Sequence, residues 1–309
     1  MIGVGFILAV NSHLIDLSSI NLSQIPFLSQ IIQKLVPTKP TTSQLIDYAL
    51  KEINIERMKH EVGNVTLSPI NCAQLHAEDM LSNRYLSHWG TDGSKPYMRY
   101  TIAGGKGFVE ENAAYLQSTG IIDPYDTIHL LNWRMIYDDA SSNWGHRDNL
   151  LDPMHNRVSL GIAFDDNSLY IVQDFEDYYY NSSQIVQSGS KIQLDYSSTN
   201  KYWSATFIGV FFDPIPQQLT SDDLRKAPYN SSYNQGEYVG SVLPKGWIKG
   251  NGITISADKW SEIDGDFSAS FDLSSAFKAK GVGVYTLYIG DSSGYYTSYS
   301  IWVYENDIK

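Results

Sequence analysis

The sequence predicts an α+β fold in two parts, with helices and one hairpin in the first half and an all-β antiparallel sandwich in the second. Three observations carry this. Apolar residues recur at helical spacing in three segments before residue 140. Beyond His146 the period changes to two. From about Gln187 no helical run remains apart from Ser221–Lys226, and short alternating runs separated by Gly and Ser turns take over.

The first helix is expected to start near Thr42, whose hydroxyl can cap it, after a linker holding Pro37 and Pro40. Leu45, Ile46, Ala49, Leu50 and Ile53 then share one face. Ser68-Pro69 reads as a second helix start, with Ile70, Ala73, Ala77, Met80 and Leu81 as its inner stripe and His76 at its border. Asp123-Pro124 repeats the cap-plus-proline signal, and Ile128, Leu131 and Met135 form the inward row. Val158, Leu160 and Ile162 alternate into a turn at Asp165–Ser168, and Leu169–Phe175 returns as the hairpin partner. Strands are expected at Lys191–Tyr196, Ser204–Phe212, Tyr238–Leu243, Gly252–Ser256, Phe267–Leu273, Gly283–Ile289 and Tyr295–Tyr304. The chain divides into an N-terminal segment 1–40, a first domain 41–185 and a β-sandwich domain 186–309, with the boundary in the polar Asn181–Ser190 stretch.

A chain of 309 residues exceeds one ordinary core. With 34 acidic against 22 basic residues, net charge −12, and no basic run, it lacks the clustered cations that bind phosphate, which excludes nucleic acid as a partner. Cys72 is the single cysteine, so no internal disulfide exists, and its helical setting reads as a small buried hydrophobe. Met1–Val10 is apolar without a basic start and is too short to span a bilayer. It reads either as the end of a signal or anchor segment, the one route to membrane contact, or as a buried strand or helix. Glycosylation sequons at Asn21, Asn64, Asn181 and Asn230 fit an extracellular or cell-surface protein.

Three short segments carry the chemistry. Ser87-His88-Trp89-Gly90, Glu110-Glu111-Asn112 and Gly145-His146-Arg147-Asp148-Asn149-Leu150-Leu151 each lie in a polar or Gly-flanked stretch beside an expected helix. Widely spaced segments of this kind are how a fold supplies several ligands to one cleft. Together with Asn54 and Arg57, His76-Ala77-Glu78-Asp79-Met80, Asp92-Gly93 and the Val158–Ala163 strand, they occur in the order found in the CAP superfamily. That superfamily comprises cysteine-rich secretory proteins, antigen 5 and pathogenesis-related proteins, and this chain resembles its microbial, SCP-like members over Thr42 to Tyr180. The resemblance implies an α-β-α sandwich with a central antiparallel sheet, and a cleft where two histidines and two acids converge and can hold a divalent metal, often zinc. His88 and His146 take the histidine places and Glu111 the first acid. The second acid has no direct match, because Ile136 stands at the expected offset from Trp133; Asp138 or Asp139 can substitute, or the acid is absent. Imidazole nitrogen with carboxylate oxygen suits zinc, and two histidines plus one carboxylate leave positions open for water or ligand. Trp89, Trp144 and Asn112 are candidates for lining the cleft. The competing reading is that the histidines satisfy buried carbonyls and the acids cap helices.

Other signals are weaker. His76 and Asp79 share a helix face without a third ligand, which reads as a surface hydrogen bond. Gly104-Gly105-Lys106-Gly107 lacks the phosphate-loop spacing and reads as a flexible loop. Glu262, Asp264 and Asp266 alternate, but Phe267 and Leu273 stand where a calcium loop needs Gly and Glu, so a hairpin turn at Asp264-Gly265 is expected. Trp247, Trp260 and Trp302 can stack on sugars but read as core residues.

Three functions follow. One is an exported, non-enzymatic binding module whose cleft takes a lipid, glycan or protein. The second is a zinc-assisted hydrolase, protease- or esterase-like, with Glu111 as base on water held by His88 and His146. The third is a structural cell-surface protein with a vestigial site. The family resembled has no general catalytic activity, although protease activity has been proposed for some members, and no serine here lies in a nucleophile-elbow context; binding is favoured. Residues 42–180 are expected to fold without the tail, to be checked by expressing the segment alone; aggregation beside a soluble full chain would contradict it.

Overall fold

Helix α1 (Thr42–Lys59) turns Leu45, Ala49 and Ile53 into one buried row, with Ile46 and Leu50 half-buried beside it. Burial of each Leu or Ile contributes about 1.5–3 kcal/mol. Its last turn buries Arg57, whose guanidinium donates to the carbonyls of Gly63 at 2.7 Å, Leu150 at 2.6 Å and His155 at 2.9 Å. One side chain thereby pins the loop after α1 to the 150–155 stretch. The computed structural model describes residues 7–10, 13–16, 39–248, 250–291 and 294–308.

Contacts divide the chain into two compact units, Met1–Thr41 and Thr42–Lys309. In the first, strands β1 (Ile7–Val10) and β2 (His13–Asp16) pair antiparallel. The last part of the apolar Met1–Val10 run is therefore strand. Residues 1–6, Pro26, Pro37 and the Asn21 sequon lie outside the described residues.

The second unit begins with α1 and is built around the sheet β3-β5-β6-β4, from β3 (Thr66–Leu67), β4 (Phe108–Gln117), β5 (Arg157–Phe164) and β6 (Ser168–Asp177). It is antiparallel apart from the short β3–β5 pair. Every residue of β6 is buried, because both faces are covered. Leu169, Ile171 and Phe175 pack with α1 and α4 (Pro124–Tyr137); Tyr170 and Val172 pack with α2 (Cys72–Asn83). This is the α-β-α sandwich. Asp123 caps α4 by accepting from the amides of Tyr125 and Asp126, as its Asp-Pro start predicts. Helix α2, in contrast, begins at Cys72 rather than at Ser68-Pro69: the Ser68 hydroxyl accepts from the Ile70 amide in a local turn, and the helix follows it. Two further short helices, α3 (Pro96–Ile102) and α5 (Gly145–Leu150), carry site residues.

The second half contains the sheets β12-β13-β8-β7 and β11-β10-β9-β14-β15. The strands are β7 (Tyr180–Ser188), β8 (Lys191–Ser198), β9 (Phe207–Asp213), β10 (Glu237–Leu243), β11 (Ile253–Ser256), β12 (Lys259–Ile263), β13 (Asp266–Asp272), β14 (Gly283–Asp291) and β15 (Gly294–Val303). Ile192, Leu194, Phe267 and Phe271 of one sheet meet Ile208, Val210, Leu287 and Ile301 of the other, so the sandwich core follows the period-two pattern. The turn at Asp264-Gly265 has positive φ at both residues, 51° and 84°, the primed hairpin geometry.

Four details depart from the sequence expectations. The polar Asn181–Ser190 stretch is mostly the edge strand β7. Lys259–Ile263 forms β12. A helix α7 (Ser274–Lys280) follows α6 (Ser221–Leu224), and β11 pairs with β10 in parallel, so the sandwich is not wholly antiparallel. Moreover β14 is buried on both faces, Gly283 to Gly290. Its outer face receives the first half: the Ser298 amide and hydroxyl both donate to the Gly107 carbonyl, at 3.1 and 3.0 Å, and the Ser300 amide donates to the Thr101 hydroxyl at 3.1 Å. The Gly104–Gly107 stretch is accordingly held by backbone bonds and by the Tyr100 ring. Among the described residues no helix is long and apolar enough to cross a membrane.

Gly161 of β5 lies directly under α2; a Cβ there would sit 2.0 Å from the Ala73 carbonyl oxygen, which is backbone and cannot yield cheaply. Gly161→Val is expected to lower unfolding free energy by about 3 kcal/mol or more, measured by urea denaturation.

Candidate functional site

The site is organised around a buried ion pair. Pro96 opens α3, where its missing amide costs nothing, and its fixed φ starts the helix. One turn later Arg99 points into the sandwich. Its guanidinium donates to Glu111 Oε2 at 2.6 Å, to the His88 carbonyl at 3.0 Å and to the Ser94 carbonyl at 2.7 Å. Glu111 stands on β4 with its side chain fully buried, and its Oε1 accepts from His88 Nδ1 at 2.8 Å. Burial alone would raise the Glu111 carboxyl; Arg99, then His76 and His88, overcome that and hold it down at about 2. Glu111 is therefore a permanent carboxylate with both oxygens engaged.

The opposite wall repeats half of this arrangement. Asp139, buried just past α4, accepts from His146 Nδ1 at 2.7 Å and from the His146 and Arg147 amides at 2.9 and 3.2 Å. Asp139, not Asp138, is thus the acid beside His146; Asp138 caps the end of α4 through its amide and is exposed. Both histidines give Nδ1–H to a carboxylate, so the lone pair on each imidazole lies at Nε2. His88 and His146 both line one open cleft of about 1060 Å³, with Glu111 and Asn112. Asn112 is buried; its amide donates to the His146 carbonyl at 2.9 Å and its oxygen accepts from Asn149 at 2.9 Å. Behind them His155 joins Asn149 to Asp177, at 2.9 and 2.7 Å.

Trp89 and Trp144 stand elsewhere. Trp89 packs edge-on against Tyr229, its centroid 5.5 Å away. Trp144 is 41 % exposed and walls an adjoining recess of about 370 Å³ that shares Asn143 with the main cleft. His76 is buried, not on the surface: its Nε2 donates to the Ser87 carbonyl at 2.9 Å, while Asp79 accepts from Tyr85 and Thr91. Cys72 is buried with its thiol donating to Asp174 at 2.9 Å; burial and the Glu111 charge push Asp174 well above the usual carboxylate range. Of the C-terminal tryptophans named as sugar candidates, Trp260 packs on Phe267 and Trp302 against the interface core, whereas Trp247 is exposed.

Sequence reasoning missed two contributions. Arg99 was hidden in a stretch without a helix expectation, although Lys95-Pro96 was a start signal of the kind used elsewhere. The segment 229–236 comes from the second half and closes one side of the cleft. Tyr233 lies with its ring centroid 4.9 Å from that of His88, and its hydroxyl accepts from the Glu111 amide at 3.1 Å. The Ser87 hydroxyl donates to the Tyr229 carbonyl at 2.6 Å. A buried clasp anchors the segment: Lys95 Nζ donates to Asp213 and to the Asn234 side chain, each at 2.8 Å, and Tyr97 donates to Asp213 at 2.6 Å. No sequence signal near Tyr233 announces this.

Among the described residues no group of three or more His, Cys, Asp or Glu side chains is disposed to enclose a metal. The two imidazoles of the cleft are each held from behind by a carboxylate through Nδ1.

Residues 50–175 match the model of the CAP, cysteine-rich secretory protein family. Among solved structures the chain is similar to an extracellular protein containing an SCP domain from Bacillus anthracis str. Ames, at 22 % identity over 45 % of this chain and 44 % of that one, TM-score 0.32. It is also similar to the CAP domain of Enterococcal PrgA, at 13 % identity over 51 % of this chain and 79 % of that one, TM-score 0.29. The chain thus spans less than half the length of the first. No curated protein matches.

Burial lowers His76 to about 4, with the Arg99 charge acting the same way. An unfolded histidine takes up a proton near 6.5, so between those values the unfolded chain binds the extra proton. Stability is then complete above about pH 6.5 and falls as pH drops towards 4. His76→Gln, which keeps a donor for Ser87, is expected to flatten that slope in denaturation curves taken across the window.

Proposed function

We propose, from the match of residues 50–175 to the CAP family model, that the protein is an exported binding module whose cleft presents two imidazoles, rather than a hydrolase. The observation that carries this is the state of Glu111. A general base works best with a pKa near the operating pH and within reach of the proton it takes. Glu111 is held at about 2, is fully buried and gives both oxygens to Arg99 and His88. Such a group orients His88; it does not collect protons from water. Asp139 likewise orients His146.

His88 and His146 would hold a divalent metal such as zinc through Nε2, leaving positions for an incoming ligand, with Glu111 and Asp139 fixing the rings from behind. A bound metal would supply Lewis acidity and an extra anchoring point. Export is supported by sequons at Asn64, Asn181 and Asn230, all exposed. The second half contributes to the cleft through Tyr233, so it would shape ligand choice.

Zinc calorimetry of the full chain tests this. Wild type is expected to bind, His88→Ala and His146→Ala each to lose at least tenfold, and Asp139→Asn to lose about 10- to 100-fold, the usual effect of removing an orienting carboxylate. Equal affinity for wild type and the His88, His146 double mutant would end the metal reading. Turnover of a peptide or ester library that a chelator abolishes would replace binding by hydrolysis.

A further inference from the structure

The cleft wall contributed by the second half differs in chemistry from the imidazole wall. Asn230, Ser231, Asn234 and Gln235 line it, as do Ser141 and Asn143 of the first half. These side chains are neutral amides and hydroxyls. Among the described residues lining the main cleft none is Lys or Arg, so no cationic side chain there would pair with a phosphate, sulfate or other anionic headgroup, and only a metal on the imidazoles would do so. Apolar surface lines it as well, with Leu86 and Phe211 half-buried and Val109 and Ala113 buried. The one other acid on the wall, Glu110, is pushed upward by burial.

The rim adds aromatic faces. Asn143 and Trp144 both adopt left-handed backbone, φ 53° and 64°. Asn tolerates this, but for Trp it is an outlier costing about 1–3 kcal/mol. The two left-handed residues turn the chain sharply before α5. They hold the Trp144 indole out at 41 % exposure, with the Arg147 guanidinium 5.9 Å from its ring, beside the recess that shares Asn143 with the cleft. Further in, Tyr233 presents a second ring next to His88. Neutral donors and acceptors beside an exposed indole match a chain of pyranose rings, whose hydroxyls need many neutral hydrogen bonds and whose apolar C–H faces stack on aromatic rings.

The geometry points to a neutral oligosaccharide as the ligand of this cleft, with Trp144 as the outer stacking platform and Asn143 as the hydrogen-bonding group between the two recesses. This rests on the binding-module reading and names its ligand class. The strained backbone at Trp144 is then the feature that positions the platform, and the segment 229–236 sets specificity.

The test uses the full chain with a panel of neutral hexasaccharides (chitohexaose, cellohexaose, maltohexaose and mannohexaose), read by tryptophan fluorescence and saturation-transfer NMR. At least one is expected to bind and perturb an indole. Trp144→Ala should weaken it at least tenfold and Asn143→Gly, which keeps the left-handed backbone, about three- to tenfold, while Trp133→Ala, equally exposed on α4 but away from the cleft, should not. Zinc affinity should be unchanged in Trp144→Ala. Zinc binding without binding of any hexasaccharide overturns the sugar reading and leaves the metal-bearing module standing. Loss of zinc binding with sugar binding intact does the reverse. Binding only to phosphatidylcholine vesicles, or sugar affinity indifferent to Trp144→Ala, also overturns it.

Discussion

The Arg99–Glu111 pair is the constraint on which the site depends. Glu111 is fully buried and the Arg99 side chain largely so, and a charge transferred from water to a protein interior costs several kcal/mol unless its partner and hydrogen bonds are in place. That cost makes the arrangement all-or-none. Arg99 must hold Glu111, the His88 carbonyl and the Ser94 carbonyl together, so α3, β4 and the loop carrying His88 can adopt only mutually compatible positions. Glu111 then has one oxygen left, and it fixes the ring of His88. The same logic runs at smaller scale through Asp139, whose two oxygens collect His146 Nδ1 and two amides at the start of α5.

A second consequence concerns how the halves of the chain cooperate. The outer face of β14 and β15 is covered by α3 and the start of β4, and the buried Lys95–Asp213 pair lies beside the loop that brings Tyr233 to His88. The β-sandwich therefore completes a wall of the cleft. The first half supplies the oriented imidazoles, and the second supplies neutral polar groups and an aromatic ring.

Much of the fold was legible in the sequence because local signals there agreed with tertiary structure. The Asp123-Pro124 cap, the Leu45–Ala49–Ile53 row and the Leu169–Phe175 hairpin partner each combine a start or turn signal with a burial period. Where local and tertiary demands diverged, reading failed. Ser68-Pro69 starts a turn, not a helix. The polar run after Tyr180 forms an edge strand because edge positions tolerate solvent-facing polar residues. Ser274–Lys280 is a helix too short to show a period.

The sequence by itself determined the order of the helical and β halves and the three motif segments, while the convergence of His88, His146 and Glu111 was what its resemblance to the CAP superfamily implied. These are properties of local spacing and of motif order. Only the tertiary structure decided that Asp139 rather than Asp138 stands behind His146, since the two adjacent residues differ in which one the chain turns inward past the end of α4. It alone brought Arg99 to Glu111, carried Tyr233 across more than a hundred residues to His88, and exposed Trp144 on a left-handed turn. Each of these is a long-range juxtaposition set by burial and charge pairing, for which a linear sequence holds no period to read.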